Sequence, residues 1–174
     1  MPETKKKIAE KPTLSEISKD FDFSTFDSGR ESINDYLKEY AWQNHRSGRA
    51  RTFIAYIGNN KVIGFYSLCP AEISYEQTVV PLKTGQPKGQ RIPVLKLAQL
   101  GVDAEYQGNG LGKALLKDAI SNCNQAAQKV GGRAIIVDAL DEDVMYFYIK
   151  LGFEMAVPES KTLMLKISKI HKSM

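Results

Sequence analysis

An apolar strand that runs into a glycine-rich loop and out into a long amphipathic helix constrains this chain more than any other feature. Residues Val94 to Asp103 read V-L-K-L-A-Q-L-G-V-D. Ala104-Glu105-Tyr106 and then Q-G-N-G-L-G-K follow, and an amphipathic run continues to Val130. Gly108, Gly110 and Gly112 carry no Cβ, so backbone N–H groups in the loop can approach a ligand closely. The loop also opens the helix where N–H donors are unpaired and the dipole is positive, which favours an anion. The stretch therefore points to a pocket for something phosphorylated.

Spacing separates the known phosphate loops. A Walker A loop requires G-x-x-x-x-G-K-[ST], but the residue five before Gly112 is Gln107 and the one after Lys113 is Ala114. A Rossmann fingerprint on Gly108 and Gly110 requires glycine at position 113, which is Lys113. The pattern that fits is Q-x-x-G-x-G, written Gln107-Gly108-Asn109-Gly110-Leu111-Gly112. It resembles the pyrophosphate loop of the GNAT N-acetyltransferases, which hold acetyl-coenzyme A. The bland alternative is a glycine-rich strand-to-helix turn.

A chain of 174 residues suits one domain with a sizeable core. Hydrophobic residues at 43% and charged residues at 25% match an ordinary soluble globular protein. No apolar run reaches the length of a membrane-spanning helix, and the charged N-terminus lacks the apolar region of a secretory signal. Cys69 and Cys123 have no C-x-x-C spacing and read as small apolar residues, with no metal site. A cytoplasmic protein is the simplest expectation. The net charge of +4 is mild, but H-R-S-G-R-A-R (His45 to Arg51) and K-G-Q-R (Lys88 to Arg91) are local basic clusters. They suit a polyanion, or merely a solvated face.

Along the chain, residues 1–12 are expected to be a disordered tail and 13–170 a single domain. Leu14 to Phe26 leads in as an edge strand or loop. Asp27 or Ser28 is placed to cap a helix over about 30–46, which Ser47-Gly48 ends. Arg51–Ile57 and Lys61–Leu68 read as a hairpin closed by Pro70. Residues 71–93, with three prolines, read as loop with at most short elements. Val94–Val102 is the central strand, and the following helix carries a stripe of Leu111, Leu115, Ala119, Cys123, Ala126 and Val130. Ala134–Leu140 is a buried strand paired in parallel after a helical crossover. A helix with Val144, Phe147, Tyr148 and Leu151 on one stripe follows, then an antiparallel pair over Phe153–Val157 and Thr162–Ile167.

This order of elements resembles the GNAT fold over about residues 20–167. It implies an α/β (α+β) architecture: one mixed, mostly antiparallel twisted sheet with a splayed central strand pair, flanked by helices. A second signature, Val137 to Phe153, contains F-Y-x-x-x-G-F (Phe147 to Phe153). Within the family the chain resembles the acetyltransferase toxins of bacterial toxin–antitoxin modules, through F-D-S-G (Phe26 to Gly29), Y-A-W-Q-N-H-R-S-G-R-A-R-T-F (Tyr40 to Phe53), G-F-Y-S-L (Gly64 to Leu68) and V-D-A-L-D-E. One departure is Gln99, where relatives often carry a basic residue.

That resemblance implies acetyl transfer from acetyl-CoA, without a metal, to the α-amino group of aminoacyl-tRNA, which blocks translation. It also implies a homodimer and neutralisation by a ribbon-helix-helix antitoxin. The backbone near Leu100 and Val102 would pair with the pantetheine arm, and Gln107, Gly108, Asn109, Gly110, Leu111, Gly112 and Lys113 would cradle the pyrophosphate. Tyr148 is the candidate general acid for the departing thiolate, since a phenol of ordinary pKa near 10 stays protonated at neutral pH. Tyr146 is its rival, and a core aromatic is the structural alternative. No strong general base is evident, and His45 is expected at the surface or in a capping role. An α-amino group, with a pKa of about 7.7–8.0, is already partly neutral and tolerates that absence. Arg46, Arg49, Arg51, Lys88 and Arg91 are candidate phosphate contacts. Two other functions fit the same residues: transfer to a protein N-terminus or small amine, and non-catalytic coenzyme binding.

Overall fold

The computed structural model describes residues 4–78, 80–83 and 85–167. Seven strands form one sheet: β1 (Thr13–Glu16), β2 (Arg51–Ile57), β3 (Lys61–Ile73), β4 (Ile92–Val102), β5 (Ala134–Asp138), β6 (Glu154–Met155) and β7 (Thr162–Lys166). Their order is β1-β2-β3-β4-β5-β7-β6. β1 with β2, β2 with β3, β5 with β7 and β6 with β7 are antiparallel, and β4 with β5 is parallel. The mixed, mostly antiparallel sheet is the one expected.

Helical elements are α1 (Glu31–Asp35), a π-helical turn (Tyr36–Tyr40), α2 (Ala41–Ser47), α3 (Val80–Lys83), α4 (Leu111–Val130) and α5 (Glu142–Lys150). The helix expected over about 30–46 is thus interrupted by a wider turn. It ends at Gly48, whose φ of 79° only glycine adopts without strain. No side chain caps its start; Asp27 and Ser28 instead bond to Asn34 and to the local backbone.

Within the span expected as one domain, the chain groups into two compact units. One takes the described residues up to Cys69 together with Gln99–Ala119, and the other takes Pro70–Ala98 with those from Ile120. The first is built on Phe26, Ile33, Leu37, Ile54, Val62 and Phe65, which the hairpin and the α1–α2 helix bury together. Removing such apolar area from water, at roughly 25 cal/mol per Å², is the main stabilising contribution. Gly101 on β4 belongs to this packing: a Cβ there would lie 2.6 Å from Ile33 Cγ2 and 3.0 Å from Phe65 Cε1. The second unit is built on Leu82, Ile92, Val94, Ala134, Ile136 and Met164.

Three local expectations are corrected. β3 continues through Pro70 to Ile73, past the end of its ladder with β2 at Arg51↔Leu68, so the missing proline N–H breaks no bond to β2. Residues 71–93 therefore hold strand at both ends, with a 3-10 turn (Tyr75–Gln77) and α3 between. On α4 the expected stripe is buried at Leu111, Leu115, Ala119 and Cys123, but Val130 is 80% exposed where the last turn leaves the core. Among the described residues no helix is long and apolar enough to cross a membrane. His171, the second of the two histidines and expected in a frayed C-terminus, lies outside the described residues.

Residues 4–10, in the expected disordered tail, lie along the first unit. The Lys6 N–H donates to the Glu105 carbonyl, and the Glu10 carboxylate accepts from the Gly58 N–H.

Candidate active site

Asp103 anchors the loop. Buried at 4% exposure, it ends β4 and accepts hydrogen bonds from the Glu105 N–H (2.9 Å) and the Asp27 N–H (3.1 Å). Its own N–H donates to the Ile63 carbonyl at 2.9 Å. A short polar side chain at that corner satisfies donors that a tight turn would otherwise strand. The sequence reading missed this role, though an aspartate directly before a polar turn is the signal for it.

Gln107 and Asn109 are also structural braces through their side chains. The Gln107 amide donates to the carbonyls of Ser28 (3.1 Å) and Val102 (3.0 Å). The Asn109 amide donates to the carbonyls of Lys6 and Tyr106, both at 2.9 Å, and accepts from the Ile8 N–H at 3.3 Å. Any ligand contact from Asn109 is therefore left to its backbone.

Gly108 and Gly110 have φ of +83° and +79°, and a Cβ on Gly110 would meet nothing within 4 Å. The loop is open at that point and leads into the first turn of α4, where Leu111 is buried and Lys113 is exposed. Left-handed backbone that glycine adopts without strain, open space and unpaired helix donors together fit a pyrophosphate. Leu100 and Val102 are half-buried on β4. The parallel ladder with β5 covers only Leu95↔Ile135 and Lys96↔Ile136, and β4 continues past it to Val102. This short ladder is what a splayed central pair requires. The Val102 carbonyl already accepts the Gln107 amide.

Tyr148 lies in the second unit, on α5. Asp141 caps that helix by accepting the Val144 N–H at 2.9 Å, and Gly152 follows its end with φ of +98°. The Tyr148 ring is 4% exposed and packs edge-on against Phe147 (5.1 Å) and Phe153 (5.4 Å). Its hydroxyl has no hydrogen-bond partner among the described residues. Burial raises its pKa above the ordinary 10, so the phenol stays protonated across the neutral range. Tyr146 is 60% exposed, with the Lys150 ammonium 4.7 Å from its ring centroid. In the same unit the Asp138 carboxylate accepts from Lys96 Nζ (2.8 Å) and the Thr162 hydroxyl (2.7 Å).

The basic candidates differ among themselves. Arg46 and Arg49 are exposed and have no ion-pair partner among the described residues. Arg51 is exposed and donates to the His45 carbonyl at 3.3 Å. Arg91 is paired with Glu72, and Lys88 is exposed. Gln99 is half-buried on β4.

His45 is not at the surface. It is 7% exposed, its ring is stacked on Trp42, and Nδ1 accepts the Thr52 N–H at 3.1 Å. Burial first, and then the Arg51 charge, lowers its pKa despite Glu16 3.6 Å away. The ring is a neutral acceptor that ties α2 to β2, a role that helix-end position alone does not reveal.

A family model described as an acetyltransferase (GNAT) domain matches residues 48–155. The chain is 38% identical over 149 residues to the tRNA-acetylating toxin of Mycobacterium tuberculosis (strain ATCC 25618 / H37Rv), covering 86% of this chain and 88% of that protein. Among solved structures it is similar to AtaT complexed with acetyl-methionyl-tRNAfMet, with a TM-score of 0.85 and 27% identity, over 93% of this chain and 98% of that one. It is also similar to a tyrosine-to-phenylalanine mutant of AtaT bound to the C-terminus of the antitoxin AtaR and acetyl-CoA. There the TM-score is 0.79 and the identity 26%, over 94% of this chain and 98% of that one. With the open glycine loop, the short β4–β5 ladder and the F-Y-x-x-x-G-F helix all present, the match is structural as well as sequential. This chain belongs to the GNAT acetyltransferase family.

Proposed function

We propose that this protein is the toxin of a toxin–antitoxin pair and transfers the acetyl group of acetyl-CoA to the α-amino group of aminoacyl-tRNA. The observation that carries this reading is the 38% identity to a tRNA-acetylating toxin over 86% of the chain. Acetyl-CoA supplies an activated thioester. The loop from Gln107 to Lys113 binds its pyrophosphate through backbone N–H groups, and Leu100 and Val102 offer backbone to the pantetheine arm. The neutral amine attacks the acetyl carbonyl carbon, the carbon–sulfur bond breaks, and Tyr148 donates its phenolic proton to the thiolate sulfur. The proton lost by the amine restores the phenol through solvent, so the exchange balances. A protonated phenol with no competing hydrogen-bond partner among the described residues suits that role.

Arg46, Arg49, Arg51, Lys88 and Arg91 contact tRNA phosphates in this reading, Arg46 and Arg49 foremost because no carboxylate engages them among the described residues. The partner is a ribbon-helix-helix antitoxin, the protein acts as a homodimer, and it works in the cytoplasm. Transfer of labelled acetyl from acetyl-CoA to a pool of charged tRNA, with deacylated tRNA as control, tests the assignment. Label that requires the aminoacyl group and stays on the released amino acid supports it. Label on free amines without tRNA would instead assign a small-amine or protein N-terminal acceptor.

A further inference from the structure

The N-terminal arm occupies a position that the mechanism above leaves unused. Its sequence, K-K-K-I (Lys5 to Ile8), would be solvated on charge alone, yet four contacts tie it to Glu105, just before the glycine loop, and to Asn109 within it. The Lys6 N–H donates to the Glu105 carbonyl at 2.6 Å. The Lys6 carbonyl and the Ile8 N–H are both taken by the Asn109 side chain, at 2.9 and 3.3 Å. The Lys6 ammonium pairs with Glu105 Oε2 at 2.8 Å.

These bonds set the direction of the neighbouring lysine. Lys5 lies over Gly108, with Cδ 3.5 Å and Nζ 3.7 Å from the point where a Cβ would stand. Unlike Lys6, its ammonium has no anionic partner among the described residues. A cation is therefore held, without an internal counter-charge, directly beside the left-handed glycine that starts the loop.

We propose that this arm is a wall of the coenzyme site and that Lys5 is a phosphate-binding residue, contributing a charge at the Gly108 end of the loop in addition to that of Lys113 at its other end. Lys6, Ile8 and Asn109 are positioning residues that hold Lys5 there. The proposal rests on the reading that the loop receives the coenzyme pyrophosphate. It assigns a function to residues about a hundred positions before the helix that the loop opens, outside the span that the family model matches.

Direct binding to the full-length chain by titration calorimetry tests it, with acetyl-CoA as the probe and no acceptor present. Lys5→Glu is expected to weaken binding about tenfold at low salt, as expected for reversing one charge near a multiply charged anion. Lys5→Arg should hold affinity within about twofold, and Lys11→Glu, the same charge change further along the arm, should do likewise. S-acetylpantetheine, which has no phosphates, should bind wild type and Lys5→Glu equally. If Lys5→Glu binds acetyl-CoA as wild type does, or if Lys11→Glu loses as much, Lys5 makes no local contact and the proposal is overturned. If wild type itself does not bind acetyl-CoA, the reading of the loop fails, and this proposal fails with it.

Discussion

The glycine loop and helix α5 place their groups by opposite physics. From Asp103 to Asn109 the chain is held by hydrogen bonds: the carboxylate of Asp103 and the amides of Gln107 and Asn109 all bond to backbone. Around Tyr148 the chain is held by packing, with one phenol wedged edge-on between Phe147 and Phe153 and its hydroxyl left without a partner among the described residues. The loop offers backbone donors whose identity hardly depends on side chains. The α5 site offers one side-chain atom. Substitutions should therefore damage affinity and stability in the first region, and turnover alone in the second.

The largest effect expected is on turnover. Tyr148→Phe keeps the ring and its packing but removes the proton donor, so kcat should fall about a hundredfold while acetyl-CoA affinity and Tm stay near wild type. Unchanged turnover would return Tyr148 to a core role and erase the comparison.

Next comes the anchor of the loop. Asp103→Ala strands the N–H groups of Asp27 and Glu105, and should cost about 2 kcal/mol in denaturant unfolding. A loss below about 0.5 kcal/mol would mean that water replaces the carboxylate and that the loop is not built by this bond set.

Gly110→Ala separates backbone conformation from contact, because space is open there yet φ is +79°. Alanine at that φ costs about 1 kcal/mol, which the free loop relieves by leaving the binding conformation, so acetyl-CoA should bind roughly fivefold more weakly with kcat at saturation preserved. An equal fall in kcat would show that loop and chemistry are not separable.

The smallest effect sharpens the comparison with a buried titratable group that packing and hydrogen bonding hold jointly. His45 has a folded pKa below its ordinary value of 6.5. The unfolded chain therefore binds the proton first, and stability is complete above pH 6.5 and declines as pH falls toward the folded value. Tm measured at pH 7.5 and 5.5 should drop less in His45→Gln than in wild type. An equal drop would place the titration elsewhere.

The strand, glycine loop and helix that frame the candidate site were readable from the residues in order. Loop spacing excluded the Walker and Rossmann patterns and left Q-x-x-G-x-G, because glycine positions and helix starts are local requirements of a chain passing from strand to helix. The hairpin, β4, α4 and α5 were legible for the same reason: their periodicities are repeated every two or 3.6 residues. What Gln107 and Asn109 do was not legible. Spacing placed them at a ligand, while their side chains bond to Ser28 and to Lys6, partners 79 and 103 residues away. Periodicity carries no information at that separation.

The sequence by itself determined that a glycine-rich loop opens a helix, that a tyrosine follows four residues before Gly152, and that the elements come in the order of an acetyltransferase. Only the tertiary structure decided that His45 is a buried acceptor, that β3 runs through Pro70, and that the N-terminal lysines meet the loop. Each of those outcomes depends on whether a polar group far along the chain is satisfied. A donor or acceptor finds its partner only when the fold closes.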